Sequence, residues 1–243
     1  MWRFYYVIIR NIFTIPMAIK TMNKRNKEAY KNIEKYNEKE NYKYVRYIVD
    51  EMKRTGHIIT EVYGKENLPK EGGYMMYPNH QGKYDAYAII SGHENPCSVV
   101  IDIKKSNGLF IKQIIDTLRG KRLDKTNNRQ AMKIINEISE EVKKGRKYIL
   151  FPEGQYDNKK KNSLIDFKSG CFKIPLKSKV PIIPTVLIDT YKVYNAWDVG
   201  KIKTQVHFLE PIFYEEYQNL KTHEIAVLVK EKIKNKIEEI EKA

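Results

Sequence analysis

The chain has only two cysteines in 243 residues, Cys97 and Cys171. Neither has metal-ligand spacing, and two scattered thiols do not make a disulfide framework, so a reducing compartment is the simpler assumption. None of the histidines at 57, 80, 93, 207 and 223 is paired in a pattern such as His-x3-His, so no metal site is expected. Glycine-rich loops of the Gly-x-Gly-x2-Gly or Gly-x4-Gly-Lys type are absent, which excludes a nucleotide cofactor held by such a loop. There is no internal repeat and no low-complexity linker. A spanning helix needs roughly 20 predominantly apolar residues. The apolar-aromatic run from Trp2 through Ile19 falls short, being broken by Arg3, Arg10, Asn11 and Pro16. No small-residue cleavage site follows it, so a secretory signal is not indicated. Acidic residues are also in deficit: 30 Asp and Glu face 45 Lys and Arg, a formal net charge of +15. A field of that sign draws polyanions, whether nucleic acid, an anionic lipid surface or an acidic carrier protein. Part of the excess reflects a Lys- and Asn-rich composition, and charge alone does not choose among these partners.

What is present begins with the N-terminal run. Arg3, Arg10 and Thr14 recur at helical spacing as a narrow polar stripe, and apolar or aromatic residues cover the rest. Such a helix suits a membrane interface, with aromatics at headgroup depth and arginines reaching the phosphates. The other reading is a first helix packed on the protein's own core. The interface is favoured because Arg10 and Lys20 would otherwise need burial or partners. Residues 22–55 are charged and lack Pro and Gly. Tyr30, Ile33 and Tyr36, then Val45, Ile48 and Met52, recur three or four apart, which predicts one or two amphipathic helices with a tyrosine-rich face. The expected organisation is an N-terminal helical membrane-interface segment over 1–55, followed by an α/β domain over 56–243.

Beyond Gly56, strands and helices alternate. Strands are expected at 58–64, 74–77, 98–103, 147–151, 182–188 and 206–209. Helices are expected at 85–91, 109–118, 127–144, 170–176 and 222–242. This alternation predicts a central, mostly parallel sheet flanked by helices. In such sheets functional loops gather at the carboxyl ends of the strands.

Asn79-His80-Gln81-Gly82-Lys83-Tyr84-Asp85 follows one of these strands. Histidine takes a proton near neutral pH, and a carboxylate on its second ring nitrogen would fix the tautomer and stabilise the imidazolium. A lone His-x4-Asp pair also arises by chance. Three further segments change its meaning: Gly120-Lys121-Arg122-Leu123-Asp124-Lys125, then Leu150-Phe151-Pro152-Glu153-Gly154, then Val180-Pro181-Ile182-Ile183-Pro184-Thr185. In order and spacing these resemble the four sequence blocks of the glycerolipid acyltransferase superfamily, which includes the 1-acyl-glycerol-3-phosphate (lysophosphatidic acid) acyltransferases. The resemblance covers roughly residues 57–210.

That resemblance implies transfer of a fatty acyl group to the free hydroxyl of a lysophosphatidic acid in phospholipid biosynthesis. The donor would be a thioester of acyl carrier protein or coenzyme A, used as co-substrate with no separate cofactor. His80 would be the general base and Asp85 its orienting carboxylate. Arg122 and Lys125 would bind the acceptor's phosphate, although a solvated basic loop is the alternative for both. Glu153 would contact the glycerol acceptor or brace the cationic groups, and Gly154 would permit close backbone approach. The fourth block would line the acyl channel or serve as plain core. The chain departs from the family pattern in places. Lys125 stands where arginine is common. Gln155-Tyr156-Asp157 stands where Thr-Arg-Ser is usual, so Lys168 becomes a candidate substitute phosphate ligand. Gly82 stands where serine is frequent. The expected partners are anionic membrane lipids, lysophosphatidic acid and the acyl thioester. The expected place is the cytoplasmic face of the cell membrane, in peripheral or monotopic attachment. Nucleic acid is not expected, because charge alone suggests it and no recognition motif is present. A different acceptor, such as glycerol-3-phosphate or another lysophospholipid, remains open.

Overall fold

A computed structural model describes residues 2–29, 36–108, 110–197 and 199–242. Tyr30 and Ile33, two of the expected apolar positions, lie outside these. The helices are α1 (Trp2–Arg10), α2 (Thr14–Ala29) and α3 (Glu38–Thr55), followed by strands β1 (Ile58–Tyr63) and β2 (Tyr74–Pro78). Then come α4 (Asp85–Gly92), β3 (Ser98–Asp102), α5 (Ile111–Thr117), β4 (Lys121–Leu123), α6 (Asn128–Lys143) and β5 (Lys147–Ile149). The chain continues through α7 (Lys173–Ser178), β6 (Ile182–Ile188), α8 (Lys192–Asn195), β7 (Ile202–Phe208), α9 (Tyr214–Tyr217) and α10 (Thr222–Lys242). The seven strands form one sheet in the order β1-β7-β6-β2-β5-β3-β4, antiparallel only between β6 and β7.

The sheet divides the core into two layers. β2 is buried along its whole length, as a central strand covered on both faces must be. Tyr74 and Met76 join one apolar cluster with α2, α3, α4 and α5, while Met75 and Tyr77 join the other with α6, α7 and α10. β6 splits the same way: Ile183 and Leu187 face the first cluster, Ile182 and Val186 the second. This period-two division explains why both segments read as unbroken apolar runs. No strand is expected at β4, whose residues belong to the block that holds Arg122 and Lys125. Three residues of alternating Lys-Arg-Leu carry too little pattern to announce a strand, and pairing with Val100–Asp102 makes it one.

The N-terminal segment corrects one expectation. The polar stripe divides: Arg3 turns inward, Arg10 stays exposed and Thr14 is half-buried. Arg3 is fully buried, and its Nη2 donates to the Gly56 carbonyl at 2.7 Å. That carbonyl lies at the C-terminal end of α3, where helix carbonyls lack intrahelical partners and favour a cation. Asn11 is buried too; its Nδ2 donates to the Val7 carbonyl at 2.8 Å and to Thr55 Oγ1 at 2.7 Å. The outward face is apolar: Trp2 is 61%, Ile9 63%, Phe13 85% and Met17 67% exposed. Among the described residues no helix is long and apolar enough to cross a membrane.

α3 carries the sheet's first layer through Tyr42, Val45, Ile48, Val49 and Met52, all buried. The Tyr42 hydroxyl meets the carbonyls of Ile90 (3.3 Å) and His93 (2.9 Å) at the end of α4, and Cys97 Sγ at 3.3 Å. Tyr42→Phe should leave buried carbonyls short of a donor and cost about 1–3 kcal/mol. A lower urea midpoint at unchanged slope would register this, whereas an unchanged midpoint would show that the hydroxyl carries no stability.

Candidate active site

The carboxyl ends of β2, β5, β3 and β4 lie side by side, and the residues singled out in the sequence follow one of them, Asp85 and Lys168 at one remove, except Arg122, which lies within β4. β2 and β6 run parallel with Pro78 opposite Thr185. One position on, Asn79 locks the loop to β6: its Oδ1 accepts from Leu187 N at 2.7 Å, and its Nδ2 donates to the Leu187 carbonyl at 3.0 Å. Gln81 adds a second tie, accepting from the Thr190 amide at 2.9 Å and hydroxyl at 2.8 Å.

These ties curl residues 79–84 around the carboxylate of Asp85, the first residue of α4. Asp85 is fully buried. Its Oδ2 accepts from Gln81 N at 2.5 Å, Gly82 N at 2.9 Å and His80 Nδ1 at 2.7 Å, and its Oδ1 accepts from Thr190 Oγ1 at 2.7 Å. A carboxylate in this state only accepts, so Nδ1 carries the proton and Nε2 keeps its lone pair. The imidazole is further held by Phe151, stacked at 4.1 Å and 28°, and by Tyr156, edge-on at 4.8 Å and 72°. His80 and Asp85, five positions apart in sequence, therefore meet as expected.

Glu153 takes a narrower place than expected. It is 2% exposed and absent from the cavity lining, and its Oε1 accepts from the backbone N–H of His80 at 3.0 Å. It braces the imidazole's own backbone rather than the cationic groups. Burial pushes its carboxyl up to about 7, against the pull of amide bonds from His80 and Ile165. Gly154 adopts a left-handed φ of 72°, and its carbonyl accepts from Lys125 Nζ. Lys125 also pairs with Asp102 Oδ2 at 3.0 Å.

His80 lines a cavity of about 470 Å³. Its walls are mostly apolar, with Ile90 of α4, Val99 and Ile101 of β3, and Ile114 and Ile115 of α5. Lys83, Lys105, Lys125 and Tyr156 supply polar ends. Block four contributes nothing to this lining: β6 is buried throughout and divides its side chains between the two core layers. It is core, not channel. Arg122 is also placed differently from expectation. Its Nη2 pairs with Asp116 at 2.6 Å, its Nε donates to Ser106 Oγ at 3.2 Å, and it does not line the cavity. Lys168 bonds through its backbone N–H to the Pro152 carbonyl at 2.8 Å, and its side chain passes beside Gly154 without lining the cavity.

Several residues escaped sequence reasoning. Lys105 lies 5.0 Å over the Tyr156 ring, and Lys83 lies 4.8 Å over Phe4 of α1. Thr190, beyond β6, completes the Asp85 cage. Lys105 follows a strand end, a signal that exists in sequence but is shared by many lysines; Thr190 offers none. Among the described residues no three His, Cys, Asp or Glu side chains group as a metal site. His93 sits between Tyr74 and the Asn95 carbonyl, and burial pushes it down to about 4.

The family model for acyltransferases matches residues 59–188, more than half of the chain. The chain belongs to the acyltransferase family. Among curated acyltransferases it is similar to the 1-acyl-sn-glycerol-3-phosphate acyltransferase of Saccharomyces cerevisiae, 28% identical over 187 residues, 74% of this chain and 60% of that protein. It is likewise similar to the enzyme of the same name in Escherichia coli, 28% identical over 173 residues, 70% of this chain and 69% of that one. The chain thus spans 60% of the yeast relative's own length. The crystal structure of the 1-acyl-sn-glycerophosphate (LPA) acyltransferase PlsC from Thermotoga maritima shares the fold, with a TM-score of 0.76 and 20% identity over 99% of this chain and 97% of that one.

In this chain, Glu153 makes stability depend on pH. The folded carboxyl keeps its proton to about pH 7, while the unfolded one releases it near its ordinary 4.5. Between those values the native state binds more protons, so stability falls as pH rises, by about 3 kcal/mol in total. Glu153→Gln should keep the oxygen that accepts from His80 and abolish that component of the slope. Urea midpoints from pH 4 to 8 in both proteins would check this; parallel curves would refute it.

Proposed function

We propose that the chain is a 1-acyl-sn-glycerol-3-phosphate acyltransferase working at a membrane surface. The observation that carries this reading is the His80–Asp85 pair, buried on its carboxylate side and opening on its imidazole side into an apolar cavity flanked by lysines. The names of the yeast and Escherichia coli relatives support the choice of acceptor.

The chemistry follows from the geometry. A glycerol hydroxyl is a poor nucleophile at neutral pH and needs a base within hydrogen-bond reach. His80 Nε2 takes the hydroxyl proton as the oxygen attacks the thioester carbonyl. Asp85 stabilises the imidazolium that results. As the tetrahedral intermediate collapses, the carbon–sulfur bond breaks, the new carbon–oxygen ester remains, and the proton passes from His80 to the departing thiolate. No serine or cysteine nucleophile is needed. Lys83, Lys105 and Lys125 set positive charge around the base, where the anionic groups of acceptor and donor come together. Arg122 would act there only indirectly, through the β4 edge that it stabilises. The donor is a thioester of coenzyme A or acyl carrier protein.

Membrane attachment rests on the apolar outward face of α1 and α2. Several exposed side chains inserted at the headgroup boundary, together with basic residues at about 1 kcal/mol each on an anionic surface, give reversible binding. Such binding would bring a lysolipid beside the site.

Two measurements test these readings. His80→Ala should lower kcat for transfer to lysophosphatidic acid by about 10²–10⁴ while the melting curve stays native-like, assayed with both donor types; turnover near that of the parent would exclude the mechanism. An Ile9→Ser, Phe13→Ser double variant should remain in the supernatant when spun with anionic vesicles that carry the parent down. Equal sedimentation would place the membrane contact elsewhere.

A further inference from the structure

A second cleft of about 330 Å³ lies across the catalytic loop from the apolar cavity. Gly82, Lys83 and Tyr156 line both, so one thin wall separates them. The far side of the second cleft is aromatic: Phe4 and Tyr5 come from α1, and Tyr191 and Tyr194 from the turn into α8. Phe4 meets Tyr194 edge-on at 5.5 Å, so α1 and α8 close on each other over the cleft. Tyr5 is 54% exposed and belongs to the same helix that turns Trp2 and Ile9 outward. One end of the cleft is therefore continuous with the apolar face of α1.

Acyl transfer brings together two amphiphiles, and the cavity beside α5 has room for one long chain. The second cleft differs from it in character. Its walls are amphipathic tyrosines rather than isoleucines, and Lys83 stands at the shared wall with its ammonium 4.8 Å over Phe4. Among the described residues Lys83 closes no ion pair. A cation at the junction and an aromatic trough leading to the outward apolar face complement a molecule with an anionic head and one hydrocarbon chain.

We propose that this cleft seats the lysolipid acceptor, its phosphate toward Lys83 and its own chain between α1 and α8, while the thioester's chain fills the apolar cavity. This rests on the acyltransfer reading above and assigns a separate entrance to each substrate. His80 lines the apolar cavity and not the cleft, but Tyr156 of the shared wall lies edge-on to its ring at 4.8 Å, so the acceptor's hydroxyl reaches the base across that wall while the thioester carbonyl approaches within the cavity.

Asn195 lines the cleft, and its side chain bonds only to the Tyr191 carbonyl among the described residues, at 2.9 Å. Asn195→Trp fills the cleft without touching the outward face of α1; Tyr191→Ala opens it as an independent check. In detergent micelles, each variant should raise KM for a long-chain lysophosphatidic acid about ten-fold, equivalent to about 1.4 kcal/mol. KM for a hexanoyl-chain analogue and for the thioester should stay within about two-fold of the parent. Ile115→Trp, in the apolar cavity, should do the reverse, excluding long thioesters while leaving the acceptor's KM in place. A rise in the thioester's KM with Asn195→Trp, or equal shifts for long- and short-chain acceptors, would overturn the proposal. Should the parent transfer nothing to lysophosphatidic acid, the acyltransfer reading fails separately, and ligand-induced melting shifts decide the cleft. Stabilisation of the parent by the long-chain lipid, lost in Asn195→Trp, upholds it; equal stabilisation of both proteins overturns it.

Discussion

The carboxylate of Asp85 is the constraint on which the active region depends. A buried charge is costly unless its lone pairs are met, and four donors meet this one: two loop amides, the Thr190 hydroxyl and the His80 ring. Meeting them requires the chain after β2 to turn back on itself at Gln81 and Gly82. It also requires the segment after β6 to come within reach of α4. Asn79 and Gln81 make that approach rigid by bonding to Leu187 and Thr190. The orientation of the imidazole is thus a consequence of satisfying one buried anion, and the proton on Nδ1 follows from it.

Two carboxyl groups lie close to His80 and have different tasks. Asp85 is surrounded by donors on both oxygens. Glu153 has amide bonds from His80 and Ile165 that do not offset its burial, so its carboxyl is held up to about 7. Asp85 also disfavours charge on Glu153. The neighbourhood therefore favours one negative charge behind the base rather than two. The amides keep an acceptor at Glu153 in either protonation state, so its bracing of His80 survives the change.

The N-terminal helices depart from the usual amphipathic arrangement. Polar side chains, Arg3 and Asn11, point into the protein, where they meet Gly56 and Thr55 at the end of α3. Trp2, Ile9, Phe13 and Met17 point out, while Val7, Ala18 and Met22 pack inward. A helix arranged in this way gains little from water, and its exposed face suits the headgroup boundary of a bilayer. Because Phe4 on the same helix also borders the cleft beside Lys83, the surface that would meet lipid and the site that would use it are built from one element.

The amino-acid sequence alone determined the α/β alternation and most strand and helix limits, which rest on local periodicity; His80 and Asp85 stood out only through the resemblance of their block and of the block at 150–154 to a family pattern. The limits of β6 and α10 follow directly from their apolar patterns. Tertiary structure alone decided what each charged residue is paired with. Arg3 looked like part of an outward stripe, yet a helix carbonyl captured it. Arg122 and Lys125 are indistinguishable as basic residues three apart, but Asp116 holds the first away from the cavity while Asp102 and the Gly154 carbonyl hold the second at its edge. Thr190 and Asn195, more than a hundred residues from His80, became part of the active region only because β6 lies beside β2. Periodicity records which face of an element is buried; it carries no record of which distant partner shares that burial.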